Sequence, residues 1–176
     1  KLANFSGTIL VLYGDTPLLT VETLKKLLTK HESEEAAASV LTAEVEDPSG
    51  YGRIVREKGQ VKEIVEDKDT SPQQSKINEI NTGICCFDSE LLWESIKKID
   101  TDNAQGEYYL TDVVGILANA GELVTGVKAE SARETIGVNT RSHLAQAENI
   151  LRRRTCEQQM AEGVTIIDPE NTYIDS

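Results

Sequence analysis

The sequence predicts an α/β fold, an open sheet whose first strand is parallel and buried, and three observations carry that expectation. Ile9-Leu10-Val11-Leu12-Tyr13 is an apolar run that stops abruptly at Gly14-Asp15, with Pro17 two residues beyond the Asp. Val21, Leu24, Leu27 and Leu28 follow at helical spacing. Ser39-Val40-Leu41-Thr42-Ala43-Glu44-Val45 is a second apolar run. Strand, helix and strand make a βαβ unit, whose crossover is expected to be right-handed. Ligands of open α/β sheets bind in the crevice at the C-terminal edge of the strands. Gly14, with no Cβ, lets a ligand come close to the backbone there. Asp15 offers a hard oxygen ligand suited to Mg²⁺ carrying phosphates. It is equally suited to cap the helix that follows Thr16-Pro17.

The remaining elements follow in order. Residues 21–31 form the first helix, and the Glu- and Ala-rich stretch 32–38 is its surface end. Asp47-Pro48-Ser49-Gly50-Tyr51-Gly52 is a turn. Residues 53–57 and 60–66 alternate in polarity and are joined by Lys58-Gly59 as a hairpin. Residues 67–75 are a polar loop, and 77–80 lead through Asn81-Thr82-Gly83 into a strand at 84–87. A helix at 90–99 carries Leu91, Leu92, Trp93 and Ile96 on or near one face. After a turn at 102–106, Thr111-Asp112 caps a helix through about residue 120, with Gly121 at C′. A short strand occupies 123–127, a long helix 140–163, and the tail from 164 is β-like with Pro169 in a turn.

Composition sets limits. A chain of 176 residues supports one domain with a real core, and 27% charged with 39% hydrophobic residues is ordinary for a soluble protein. A net charge of −12 argues against nucleic acid or an anionic membrane as the main partner. A nucleotide is still admitted, because a metal and a few local donors offset the field. No apolar stretch reaches the length of a membrane span, and no basic-then-apolar leader opens the chain, so a cytoplasmic protein is expected. Cys85, Cys86 and Cys156 have no zinc or CxxC spacing and read as small core residues in a reducing compartment. His31 and His143 lie in polar helical contexts and read as surface residues. The chain enters a core strand almost at once, with few neighbours for it, as a piece of a larger protein would.

Five segments occur together in one order: Tyr13-Gly14-Asp15-Thr16-Pro17, Gly50-Tyr51-Gly52-Arg53, Asn81-Thr82-Gly83, Ala104-Gln105-Gly106-Glu107-Tyr108-Tyr109-Leu110-Thr111-Asp112, and Gly137-Val138-Asn139-Thr140-Arg141. Each is weak alone; as an ordered set the chain resembles the bacterial bifunctional UDP-N-acetylglucosamine pyrophosphorylase/glucosamine-1-phosphate acetyltransferase family over essentially its whole length. The resemblance implies an incomplete Rossmann-like nucleotide-diphospho-sugar transferase sheet, a long C-terminal linker helix and the start of a left-handed β-helix. Residues 1–143 would be the C-terminal portion of the uridyltransferase domain, 144–162 the linker helix and 163–176 the beginning of the acetyltransferase β-helix. The family's glycine-rich nucleotide loop with its downstream Lys, and a second Gly-Thr segment near uracil, have no counterpart here. The 176-residue chain by itself is therefore expected to be inactive as a transferase.

The family reaction joins UTP and N-acetylglucosamine 1-phosphate into UDP-N-acetylglucosamine with loss of pyrophosphate. By resemblance Asp15 and Asn139 hold Mg²⁺, Gly52 contacts the amino sugar through its backbone, Glu66 hydrogen-bonds sugar hydroxyls, and Asn81 is a sugar-contacting amide. Tyr13 and Gly14 line the nucleotide site, and Tyr109 and Thr111 are within reach of the sugar but more readily structural. Plainer readings stand beside these: an N-cap for Asn139, a tight turn for Gly52, a solvated charge for Glu66, a loop amide for Asn81 and core packing for Tyr13. The basic triplet Arg152-Arg153-Arg154 reads as a solvated helix face near Glu148 and Glu157. The resemblance further implies acetyl-CoA as a substrate of the parent's second domain, a homotrimer built through the β-helix, and a part in peptidoglycan and lipopolysaccharide precursor synthesis. A glucose or mannose nucleotidyltransferase and a non-catalytic binding or assembly fragment are the alternatives. A phosphoaspartyl phosphatase is disfavoured, because Thr16-Pro17-Leu18 breaks the Asp-x-Asp-x-Thr pattern it requires.

Overall fold

A computed structural model of the chain describes residues 5–174. Its elements are β1 Thr8–Val11, α1 Val21–Ser33, β2 Ala38–Glu44, β3 Arg53–Glu57, β4 Gln60–Val65, β5 Glu79–Asp88, α2 Ser89–Ile96, α3 Asp112–Asn119, β6 Val124–Lys128 and α4 Arg141–Ala161. Short 3-10 turns lie at Asp67–Asp69 and Gln74–Lys76. The chain divides into two compact units: one holds the residues up to Tyr13 with Thr20–Ala132, the other Gly14–Leu19 with the chain from Arg133 onward.

The first unit is built on a mixed six-stranded sheet in the order β4-β3-β5-β2-β6, with β1 pairing β5. β5, ten residues long, organises it. One of its edges pairs antiparallel with β2. Its other edge is shared: β3 pairs at Ile80, and β1 pairs from Val11↔Cys85 to Thr8↔Asp88. The expected buried parallel first strand is thus corrected: β1 is antiparallel to its neighbour, and all four of its residues are half-buried. β1 and β2 do run the same way, since both oppose β5, but β5 lies between them. A strand that arrives late in the chain has taken the position a simple βαβ unit gives to its own second strand. β2 pairs in parallel with β6, from Ala38↔Val124 to Thr42↔Lys128. With neighbours on both edges, β2 is buried from Ala38 to Ala43, which accounts for its nearly continuous apolar run.

Val40, Ile54, Val61, Ile64 and Phe87 of the sheet pack with Leu92 of α2 and Val113, Val114 and Leu117 of α3. Each such side chain contributes about 1.5–3 kcal/mol through burial. The hairpin forms as predicted, with Lys58 at φ 50° and Gly59 at φ 87°, the two left-handed residues of a type I′ turn. α3 ends as predicted too: Gly121 sits at φ 88°, its N–H donates to the Ala118 carbonyl at 3.2 Å, and the Glu122 N–H donates to Leu117 at 3.1 Å. α2 is shorter than the expected 90–99, and Ile96, expected on its apolar face, is 38% exposed. Cys85 is half-buried and Cys86 buried, and burial pushes both thiols up to about 12, so neither is a thiolate at neutral pH.

Two further expectations are corrected. Asn81-Thr82-Gly83 is not a loop before a strand but the middle of β5. The register passes from Val40↔Cys85 to Thr42↔Asn81, so β5 carries extra residues opposite Leu41. Thr82 Oγ1 donates to the Leu41 carbonyl at 2.7 Å across this bulge, and Gly83 takes a φ of 79°. His31 is not a surface residue. It is 4% exposed, and its Nδ1 lies 3.0 Å from Ser39 Oγ. The buried stripe of α1 is Thr23, Leu27 and His31, while Val21 is exposed. Counting apolar residues alone misses a stripe two of whose members are polar.

Burial lowers the His31 pKa below its ordinary 6.5, against the opposing pull of the Asp88 and Glu32 carboxylates. A depressed imidazole pKa means that the unfolded chain takes up the proton first. Stability is therefore expected to be lost as pH falls from 6.5 toward the lowered native value. Thermal melts from pH 8 to 5 on the wild type and His31→Gln check this. The wild type is expected to lose melting temperature below pH 6.5 more steeply than the variant, and parallel curves would contradict it.

In the second unit, α4 begins at Arg141 behind the cap residue Thr140, whose Oγ1 accepts the His143 N–H at 3.1 Å. His143, also expected at the surface, is half-buried. The helix closes at Gly163, φ 100°, with the Val164 N–H on the Gln159 carbonyl at 3.0 Å. The tail departs from expectation. Residues 164–174 form turns and irregular chain, with no strand among the described residues where β-like structure was expected. A strand needs a neighbour for its N–H and C=O groups. Here the contacts run to α4 instead, where the buried Cys156 Sγ lies 3.8 Å from the Pro169 carbonyl oxygen and 3.7 Å from that of Thr172.

Candidate functional site

The candidate residues form two groups, one in each compact unit, and each group is described by itself. In the second unit the Gly14–Leu19 segment meets the Gly137–Asn139 turn: the Val138 N–H donates to the Asp15 carbonyl at 2.7 Å. Gly137 sits between the two predicted metal ligands. A Cβ there would lie 3.3 Å from Asp15 Oδ2 and 3.5 Å from the Asn139 side-chain nitrogen. A side chain at 137 would fill the space between the carboxylate and the amide. Neither residue caps a helix, because Thr20 caps α1 and Thr140 caps α4. The plainer role of each is thereby removed. Gly14 is open, with no atom within 4 Å of where a Cβ would stand.

Among the described residues no group of three or more His, Cys, Asp or Glu side chains is arranged to hold a metal. One carboxylate and one amide are hard donors but too few for a cage made of protein alone. They suit Mg²⁺, which keeps waters and takes most of its remaining ligands from substrate phosphates.

The first unit brings together Gly52, Glu66, Asn81 and Thr111. The Asn81 N–H donates to the Gly52 carbonyl at 2.8 Å. A Cβ on Gly52 would meet Ile64 Cγ2 at 3.0 Å, Glu66 Oε2 at 3.3 Å and Asn81 Cβ at 3.5 Å. Close approach, not the turn, therefore favours glycine here: any side chain would press on Ile64 and Glu66. Glu66 is half-buried rather than a solvated charge, and its Oε1 accepts the Thr111 hydroxyl at 2.8 Å. Asn81 Oδ1 accepts the Gly83 N–H at 3.0 Å, so what this side chain offers a ligand is its NH₂. The cluster thus presents a carboxylate acceptor and an amide donor side by side, a set that matches a hydroxylated, amide-bearing ligand.

Thr111 was expected to cap α3. Its backbone is already helical at φ −63°, ψ −24°, and its side chain makes no capping bond but turns to Glu66. That choice is invisible in sequence, where a Thr before an Asp and an apolar run reads as a cap. Gly83 was likewise seen only as part of a motif. A Cβ there would fall 1.9 Å from the Tyr13 ring, so the Tyr13 ring lies against the bulge of β5. Tyr13 is 51% exposed, and core packing does not describe it. Tyr13, Asn81, Gly83 and Thr111 share a hollow of about 20 Å³, room for a water but not for a sugar.

A surrounding lattice holds the loop of residues 102–111 to the turn after Glu66. Asp69 Oδ1 accepts the Ala104 N–H at 2.7 Å, the Lys68 ammonium donates to Gln105 Oε1 at 2.6 Å, and Gln105 Nε2 donates to the Tyr109 hydroxyl at 2.8 Å. Tyr109 is thereby tied into the loop. Arg53, 2% exposed, donates to the Tyr51 carbonyl and pairs with Asp67 at 2.8 Å, joining the two turns that carry Gly52 and Glu66. Burial, then the nearby carboxylates of Asp100, Glu66 and Asp69, pushes the Asp112 carboxyl up.

Comparison with known proteins bears on family and fold. The profile of the family described as Nucleotidyl transferase matches residues 1–154. The chain is 52% identical over 174 residues to the Bifunctional protein GlmU of Shouchella clausii (strain KSM-K16), covering 98% of this chain and 38% of that protein. It is 53% identical over 176 residues to the Bifunctional protein GlmU of Brevibacillus brevis (strain 47 / JCM 6285 / NBRC 100599), covering 99% and 38%. The chain thus spans well under half the length of these relatives. Among solved structures, a putative glucose-1-phosphate thymidylyltransferase from Bacillus anthracis superposes with a TM-score of 0.61 at 20% identity, over 95% of this chain and 59% of that one. An apo UDP-glucose pyrophosphorylase gives 0.64 at 16%, over 86% and 56%. At these identities the likeness is one of fold.

Proposed function

Since the chain belongs to the nucleotidyl transferase family, we propose that the protein containing it makes UDP-N-acetylglucosamine, by Mg²⁺-dependent transfer of uridylyl from UTP to N-acetylglucosamine 1-phosphate. The observation that carries the substrate reading is the Gly52–Glu66–Asn81–Thr111 cluster, where a carboxylate acceptor and an amide donor stand beside a glycine whose Cβ would crowd Ile64 and Glu66. The five ordered segments and the likeness to the GlmU proteins support the same reading.

Nucleotidyl transfer asks little covalent chemistry of a protein. A phosphate oxygen of the sugar phosphate forms a bond to the α-phosphorus of UTP, and the bond from that phosphorus to the pyrophosphate oxygen breaks. Catalysis consists of aligning two anions and offsetting their charge. Mg²⁺, held by Asp15 and Asn139, would supply charge neutralisation and a template for the phosphates. Glu66 accepts from sugar hydroxyls with its geometry set by Thr111, Asn81 donates to the acetamido carbonyl, and the Gly52 backbone borders the sugar. Tyr13 and Gly14 border the nucleotide.

In the longer protein we assign a second activity, acetylation of glucosamine 1-phosphate by acetyl-CoA, to a C-terminal β-helix domain that also builds a homotrimer. Residues 1–143, 144–162 and 163–176 are assigned to the uridyltransferase domain, the linker helix and the β-helix entry. The products would feed peptidoglycan and lipopolysaccharide precursor synthesis in the cytoplasm. Among the described residues no helix is long and apolar enough to cross a membrane.

Pyrophosphate release by the full-length protein, measured with N-acetylglucosamine, glucose and mannose 1-phosphates, tests the reading. A preference of about a hundredfold for the N-acetyl sugar is expected, since a site built to hydrogen-bond an amide is penalised by a substrate lacking it. Preference for glucose or mannose 1-phosphate would move the assignment to those nucleotidyltransferases.

A further inference from the structure

The basic run Arg152-Arg153-Arg154 is not one uniform solvated face of α4. Within their compact unit the three side chains go to three different places. Arg152 stacks 4.7 Å from the centroid of the Tyr173 ring. Arg153 pairs with Glu157 and Glu170, both at 3.1 Å and all solvent-exposed, an arrangement that contributes little. Arg154 is committed to backbone: its Nη1 donates at 2.7 Å to the carbonyl of Leu18, 136 residues away in sequence.

Leu18 lies in the Gly14–Leu19 segment, which shares a compact unit with α4 and carries Asp15. The segment contains neither helix nor strand, so no ladder of backbone hydrogen bonds fixes its course. Two of its carbonyls are held from elsewhere in the same unit. The Asp15 carbonyl accepts the Val138 N–H at 2.7 Å beside Asn139, and the Leu18 carbonyl accepts Arg154 from α4. The direction of a carboxylate follows the backbone that bears it. A guanidinium suits the second tether, since it is permanently charged, planar and makes shorter, stronger bonds than a neutral donor.

We infer that Arg154 is a positioning residue: by tying the Leu18 carbonyl to α4 it holds the Gly14–Leu19 segment so that Asp15 faces Asn139 across Gly137. Its functional meaning rests on the proposed metal-binding role of that pair, while the tether itself is a property of this chain alone. It makes the long helix part of the site's framework.

Residue-resolved amide exchange by NMR on the ¹⁵N-labelled 176-residue chain tests the tether. Arg154→Met keeps the aliphatic stem and removes the donor. The Val138 amide is expected to exchange about tenfold faster in that variant, while the amides of β2 and β5 stay unchanged. Arg154→Lys, which restores one charged donor, is expected to fall between. An unchanged Val138 rate overturns the inference, and so does an equal rise throughout β2 and β5, the mark of a general stabiliser. Sub-stoichiometric Mn²⁺ provides the second readout. It is expected to broaden the Gly137 and Asn139 resonances in the wild type, less in Arg154→Met, and not in Asp15→Asn. Absence of broadening in the wild type counts against the metal pair; unchanged Val138 exchange counts against Arg154, so the two failures are distinguishable.

Discussion

Asp15→Ala in the full-length protein is expected to lower uridylyl transfer by about 10²–10³ or more, the usual loss when a group that stabilises transition-state charge is removed. Acetyl transfer is expected to be unchanged. Asp15 is the one carboxylate of the pair across Gly137, and the amide of Asn139 carries no charge that could replace it. On the proposed reading the substitution removes the negative end of the site that would gather a cation among phosphate anions. Fold is not at stake, because Asp15 caps no helix and its structural hydrogen bond is made by its backbone carbonyl, which Ala retains. Separate assays of pyrophosphate release and of acetyl-CoA consumption on one preparation decide the matter. Equal loss of both activities would remove Asp15 from the metal role and make it a residue of general stability.

Glu66→Ala is expected to raise the KM for N-acetylglucosamine 1-phosphate by about ten- to a hundredfold, with the KM for UTP nearly constant. The size follows from losing one hydrogen bond to a carboxylate acceptor, about 1.5–3 kcal/mol. Glu66 is held by the Thr111 hydroxyl at 2.8 Å, so its carboxylate is already oriented before a ligand arrives. Thr111→Val removes that support while keeping the shape. It is expected to give a smaller rise in the same constant, since the carboxylate remains but is less well aimed. Steady-state kinetics with each substrate varied in turn separates the cases. An equal rise in both KM values, or none for the sugar phosphate, would take Glu66 out of the sugar site.

Asp112 belongs to the same neighbourhood. With burial and the carboxylates of Asp100, Glu66 and Asp69 all raising its pKa, it is a place where ionisation works against folding. Stability is thus lost, not gained, as pH rises through its titration. An acidic surround of this kind fits a cluster that receives neutral hydroxyls better than one that binds free phosphate.

The corrections share one origin. The first strand was legible as a strand because an apolar run ending in Gly-Asp is a local signal, but its partner was not. Val11 pairs with Cys85, and nothing near Val11 in sequence announces that contact. His31 looked like a surface residue because its neighbours are polar, yet it stands one turn beyond Leu27 on the same helix face. Thr111 looked like a cap because local pattern favours one. A carboxylate 45 residues earlier won its hydroxyl instead. The tail looked β-like from composition and formed turns, because β-propensity without a neighbouring strand has no ladder to join.

By itself the sequence determined what short-range physical chemistry decides: the Lys58-Gly59 hairpin turn, the Gly121 and Gly163 stops, and the ordered segments that mark the family. Those depend on φ preference and on apolar spacing within a few turns, whereas the caps fell on Thr20 and Thr140 and not on the Asp15 and Asn139 that local pattern offered. Only the tertiary structure decided that β5 runs between β1 and β2, that Gly52, Glu66, Asn81 and Thr111 meet in one cluster, and that Gly137 separates Asp15 from Asn139. It also decided which carbonyl Arg154 ties down. These are pairings between residues tens to more than a hundred positions apart. Each is one of many that local preference would allow, and it is selected only when the whole chain buries its core.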